Sequence, residues 1–134
     1  MTMDTLSLWA VLVAALSAFL VGGLWYSPLL FGKLWEKANR FGVGQVPTAT
    51  WQTFAGSFIL SLIMAFNLAM FLNDPKTTAA WGATAGFLAG FGWVAMGIGI
   101  LSLFECRPWS YVLVNGGFLT AALVLMGAIL GAWR

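Results

Sequence analysis

Histidine is absent from this chain of 134 residues, cysteine occurs once, and charged residues make up 7% of it. Without histidine there is no imidazole to bind a metal or to move protons near neutral pH. A lone Cys106 rules out a disulfide within the chain. Six Lys+Arg against four Asp+Glu give a small basic excess, far from the clustered basic face that nucleic acid requires. Soluble domains carry roughly 25% charged residues. A chain with 61% apolar residues and a mean hydropathy of +0.93 has too little polar surface to cover a globule in water. The bilayer is its natural solvent.

What the sequence does have is long apolar runs. About 20 apolar residues cross the roughly 30 Å hydrocarbon layer as a helix, and four stretches reach that length: about 5–26, 51–72, 79–104 and 109–133. None holds a charged residue, consistent with a cost of roughly 2.5–3.5 kcal/mol for a charge at the centre of a span. The first run has only Asp4 ahead of it. A cleaved leader has a basic start and a shorter apolar segment, so this reads as a permanent span. The chain is expected to be all-α, a single integral membrane four-helix bundle.

Between the first two runs lies "GGLWYSPLLFGKLWEK", residues 22–37. Trp25 and Tyr26 fall where the first span leaves the hydrocarbon, as amphipathic rings do. Ser27 suits an N-cap and Pro28 a first helical position. Beyond them Leu30, Phe31, Leu34, Trp35, Ala38 and Phe41 recur on one helical face, with Lys33, Glu36, Lys37 and Arg40 on the other. This pattern predicts a short amphipathic helix over about 28–41, lying in the interface; the competing reading is one long first helix kinked at Pro28. "FGVGQVPTAT" then reads as a linker, "NDPKTT" as a tight turn with Thr77 or Thr78 capping the third helix, and "ECRPW" as a turn with Pro108 opening the fourth. Loops one and three carry Lys33, Lys37, Arg40 and Arg107, against Lys76 and Arg134 on the opposite side. Positive-inside counting puts loops 27–50 and 105–108 in the cytoplasm and both termini outside.

Small residues recur every fourth position: Ala10, Ala14, Ala18 and Gly22; Ser57, Ser61, Ala65 and Ala69; Gly82, Gly86 and Gly90. Such stripes let backbones approach closely, which in lipid takes the place of hydrophobic association. They serve contacts within the bundle or between copies, and three stripes in one small chain suggest a homo-oligomer. Asn67 and Asn115 are the polar residues that stand out within the spans. Trp25, Tyr26, Glu105, Arg107 and Asn115 fall at one membrane face and form a candidate pocket or interface; an interfacial ion pair with an aromatic belt is the alternative. Trp93 sits mid-span beside Phe87 and Phe91, and is a candidate for an apolar or cation-accepting cavity.

Catalysis has little to stand on. No paired carboxylates, activated nucleophile or metal-ligand spacing is found, and no acid lies inside a span. The expectation is therefore not an enzyme, with no cofactor and no metal.

"GGLWYSPLLFGKLW" at 22–35, "GATAGFLAGFGW" at 82–93 and "LFECRPWSYVLVNGGF" with "LMGAILGAW" near the end resemble the domain-of-unknown-function 1761 family of small bacterial membrane proteins, over nearly the whole chain. The resemblance implies four helices in a bacterial inner membrane and carries no activity or catalytic residue with it. Two functions stay open: a structural or accessory protein whose helices pack with itself or with a membrane protein partner, and a small oligomeric transporter or channel for a small or amphipathic solute; membrane lipids are expected partners under either.

Overall fold

The computed structural model describes residues 7–41, 47, 50–74 and 76–133. Asp4, the first residues of the expected first span, most of the linker, Pro75 and Arg134 lie outside the described residues. The elements are α1 (Leu8–Trp25), α2 (Gly32–Ala38), α3 (Trp51–Phe71), α4 (Ala79–Ala89), a π-helical turn (Gly90–Ala95), α5 (Met96–Phe104) and α6 (Trp109–Ala132). Among the described residues four helices are long and apolar enough to span a membrane: α1, α3, the continuous Ala79–Phe104 rod, and α6. The chain is all-α, a membrane bundle.

Two helices meet backbone to backbone, and the glycines show why. A Cβ on Gly82 would land on the carbonyl of Gly127, one on Gly86 would lie 2.6 Å from the Leu123 carbonyl carbon, and one on Gly90 would lie 2.6 Å from the Thr120 Cα. Gly127 and Gly131 of α6 are closed in the same way by Gly82 and Thr78. The stripe on the third span thus faces α6 of its own chain, with glycines answering from the other side. Such an approach is open only to residues without a Cβ, and it maximises dispersion contact where lipid provides no hydrophobic drive.

The stripe outlasts its four-residue spacing. Gly82, Gly86 and Gly90 are buried, and after them Ala95, Gly99 and Ser102. In a regular α-helix, a step of five residues would turn Ala95 well away from α6. The π-helical turn absorbs the extra residue, so Ala95 meets Gly116, where an added Cβ would come within 2.9 Å of the Ala95 Cβ.

α1 and α3 are joined differently along their lengths. Towards the chain's N-terminal face, Ala10, Ala14 and Ala18 pack with Ala65, Leu68, Ala69 and Leu72, together with Met126 and Leu130 of α6, in one buried core. Towards the face of loops one and three, Phe19 meets Phe54 and Phe58 at ring distances of 6.2 and 5.9 Å. Alanines at one end and aromatic rings at the other splay the pair, and a cleft opens between them.

The segment after α1 departs from its expected form. Residues 26–31 make turns instead of a first helical turn: Phe31 N–H donates to Trp25 O and Gly32 N–H to Ser27 O. Ser27 does not cap α2, since its hydroxyl donates to the Leu24 carbonyl and closes the end of α1. The short helix starts at Gly32, where a Cβ would press on the Tyr26 and Ser27 carbonyls, and ends at Ala38. Thr78 caps α4 by accepting from Trp81 N–H.

The glycine contact makes a direct prediction. Gly86→Ala should destabilise the bundle by about 1–3 kcal/mol, the usual range for overpacking, or prevent folding. Gly97→Ala, whose Cβ would meet nothing within 4 Å, should gain a few tenths of a kcal/mol and up to about 1 from helix propensity. Thermal unfolding in one detergent compares the two; equal melting temperatures would remove the close contact as the cause.

Candidate functional site: a one-sided cleft beside an aromatic junction

The end of α1 is tied to α6 by neighbouring residues. Trp25 Nε1–H donates to the Val114 carbonyl at 2.9 Å, and the ring lies over Gly117, where an added Cβ would sit 2.9 Å from it. Tyr26 donates its hydroxyl to Asn115 Oδ1 at 2.6 Å, while Asn115 Nδ2 returns to the Tyr111 carbonyl at 3.0 Å. A carbonyl already used within a helix has a second lone pair, so Val114 accepts the indole without breaking α6. Rings close over this junction: Phe31 on Trp25 at 4.6 Å, Trp35 on Tyr26 at 5.9 Å and Phe118 on Tyr26 at 5.3 Å.

A more exposed layer of polar contacts sits beside the junction. Arg107 approaches Glu105 at 3.5 Å, lies 5.0 Å from the centre of the Tyr111 ring and donates to Asn39 Oδ1 at 3.4 Å. Arg40 donates to the Cys106 carbonyl at 3.4 Å. Both Arg40 and Cys106 have positive φ, 60° and 57°. Each occupies the left-handed position that ends a helix with the doubled backbone bonds of a Schellman motif, Phe41 N–H to Glu36 O and Arg107 N–H to Ser102 O. Glycine usually fills that position, so α2 and α5 end in two strained caps that touch each other.

The cleft itself has a volume of about 520 Å³, within the range of small-molecule sites. α1 contributes Phe19, Gly22, Gly23 and Tyr26; α3 a wall with Thr53, Ser57 and Ser61; α6 Phe118 and, at the deep end, Met126. Met126 is fully buried, and beyond it the three helices close in the alanine-rich core. The cleft therefore occupies the half of the bundle nearer loops one and three, with Gly23, Phe54, Ser57 and Leu60 of its lining exposed on the lateral surface, and it ends at the buried Met126.

The structure thus brings Trp25, Tyr26 and Asn115 into one junction and joins Arg107 and Glu105 to it through Tyr111. Of these only Tyr26 lines the cleft. Trp93 stands apart, 74% exposed on the outer surface of the π-helical turn, and Phe87 and Phe91 stack on each other at 5.5 Å instead of on it. Gly82, Gly86 and Gly90 pack on α6, whereas Ser57 and Ser61 face the cleft instead of a neighbouring helix. Asn67 is exposed on α3 and lies outside the cleft lining. Phe19, Phe118 and Gly23 were not singled out by sequence reasoning. The available signal was Gly23, a second glycine placed beside the small-residue stripe instead of in it.

Fold and site together define a multi-pass helical membrane protein with a lateral cleft. Residues 9–131 match the family described as Protein of unknown function (DUF1761), and the chain belongs to that family. No curated protein and no solved structure matches it.

The junction is open to a direct test. Tyr26→Phe leaves Asn115 Oδ1 without its donor and should cost about 0.6–1.7 kcal/mol, the span of interhelical hydrogen bonds measured in membranes. Tyr26→Phe with Asn115→Leu should recover part of that loss, because no unpaired amide oxygen remains. A double-mutant cycle on thermal unfolding with no coupling between the two positions would count against the contact.

Proposed function

We propose that this protein is a non-catalytic accessory protein of the membrane that holds one lipid-like amphiphile in the cleft between α1, α3 and α6. The observation that carries this reading is the cleft's form: an apolar, aromatic-walled space of about 520 Å³, open to the side and closed halfway through the bundle. A lateral opening admits a ligand from lipid, and the closed end stops it. Transport through one chain would need a passage continuing past Met126, where α1, α3 and α6 are instead packed on one another.

The surroundings support the same reading. Leu29, 88% exposed, lies with the exposed Leu30 and Leu34 beside the exposed Lys33 and Lys37, a combination suited to the boundary between headgroups and acyl chains. On this reading α2 lies in the interface, loops 27–50 and 105–108 face the cytoplasm of a bacterial inner membrane by the positive-inside count, and the cleft opens in the cytoplasmic leaflet. Membrane lipids are the first partners. α3, exposed along most of its length, is the surface on which a second copy or another membrane protein would pack.

Gly23 offers a clean test, because it lines the cleft and a Cβ there would meet nothing within 4 Å. Gly23→Phe should fill the space and leave the fold intact. Native mass spectrometry from nanodiscs carrying total membrane extract should show a reproducible one-to-one adduct of a membrane-soluble amphiphile on the wild type and its loss in Gly23→Phe, with an unchanged melting temperature. An adduct that persists in the variant, or a wild type that carries none, would overturn the proposal.

A further inference from the structure

The polar groups on the α3 wall narrow the chemistry of the occupant. Hydroxyls inside a span ordinarily return to their own helix, and here Ser17 donates to the Ala14 carbonyl, Ser102 to Ile98, Thr84 to Ala80 and Thr120 to Gly116. Ser57 and Ser61 do not. Among the described residues neither hydroxyl has a hydrogen-bond partner, and both line the cleft, Ser57 exposed and Ser61 half-buried along it. They lie about 9 and 15 Å along α3 from Trp51 at 1.5 Å per residue. That is roughly a third and half of the way across a 30 Å hydrocarbon layer.

Depth separates the candidate occupants. A membrane phospholipid keeps its ester carbonyls near the interface, so only methylenes would reach Ser61, leaving a donor unpaired where water does not compensate. The group that satisfies these serines is a hydrogen-bond acceptor carried into the middle of the bilayer on an apolar body. The rest of the lining is rich in aromatic rings. Phe19 meets Phe54 at 6.2 Å and Phe118 meets Tyr26 at 5.3 Å, the rings of each pair tilted to one another, so edges and faces are both available for contact with a further ring.

We propose that the cleft selects a membrane-soluble molecule with a carbonyl-bearing ring, of the quinone type, and an aliphatic tail, with Ser57 and Ser61 donating to its ring oxygens. The inference rests on the cleft being a ligand site and adds the class of ligand. The tail extends through the lateral opening into lipid, and no chemical step on the ring is implied. Thr53, nearer the interface, is engaged with Thr50, through its backbone N–H and its hydroxyl, each at 3.4 Å, whereas the two deeper serines are the lining hydroxyls without a partner.

Two probes test this on the full chain in nanodiscs: a decyl-substituted benzoquinone and decylbenzene, which has the same tail and a ring without oxygen. Occupancy is titrated by native mass spectrometry. The wild type should bind the quinone about tenfold more tightly than decylbenzene, the effect of one to two net hydrogen bonds. Ser57→Ala with Ser61→Ala should bring the quinone down to the decylbenzene level and leave decylbenzene unchanged. Alanine is a better helix former than serine, so this variant should fold. Gly23→Phe should abolish both. If it abolishes both but the double alanine variant binds the quinone as the wild type does, the cleft is a site for apolar chains and the ring-carbonyl inference falls. If both probes still bind Gly23→Phe, they do not occupy the cleft, and the ligand-site reading falls with it.

Discussion

The contact of α4 with α6 through glycine sets the terms for everything else in the bundle. Neither helix can present a side chain at Gly82, Gly86, Gly127 or Gly131 without forcing the backbones apart. Close approach then fixes the rotation of both rods about their axes. α6 has its glycine-rich face committed to the third span, and its Ala122, Leu123, Met126 and Leu130 take part in the core with α1 and α3. The π-helical turn extends the commitment, holding the third span on α6 through Ala95 at Gly116 where a regular helix would have rotated off.

α3 receives what is left. Its buried residues, Ala65, Leu68 and Ala69, all lie in its second half; in the first half Phe58 packs against the edge of the core, and Phe19 meets Phe54 and Phe58 between the two helices. On the other side of the cleft the end of α1 cannot move in to close the gap, because Trp25 is bonded to Val114 and seated on Gly117. The cleft is therefore bounded on one side by a wall anchored to α6 and on the other by α3, which buries only Ala65, Leu68 and Ala69. Collapse would require either the indole to leave its glycine seat or the phenyl rings to find another place.

Much of this was legible in the sequence, and the limits have physical causes. Runs free of charge report crossing segments directly, because the cost of charge in hydrocarbon is large and local. The glycine spacing on the third span reported a close contact, yet spacing alone does not name the partner helix; that needed Gly127 and Gly131, whose own four-residue interval lies on a different span. The serines were read as packing residues because Ser57, Ser61, Ala65 and Ala69 form one stripe of small side chains. In the structure the stripe divides: the two alanines are buried in the core with α1, and the two serines line the cleft. Phe19 makes the division, and a wedge of that kind is invisible to any periodicity within a single helix. Pro28 misled in a similar way. It suits a helix start, but the Ser27 hydroxyl closes α1 and the backbone turns through residues 26–31 before Gly32 can begin a helix.

The two non-glycine caps bear on why the face of loops one and three is so densely built. Arg40 and Cys106 each accept a backbone conformation that costs of order 1 kcal/mol or more, and each would be relieved by glycine. Arginine at the first position places a guanidinium on the Cys106 carbonyl, and Arg107 reaches back to Asn39. A glycine at position 40 would ease the turn and lose the first of these contacts. The strain is thus coupled to the joining of α2 with the α5–α6 turn, and that joining holds Trp35 over Tyr26 beside the mouth of the cleft. The anchored end of α1 and the sparsely buried first half of α3 are two parts of one arrangement, and together they leave the cleft between them unfilled.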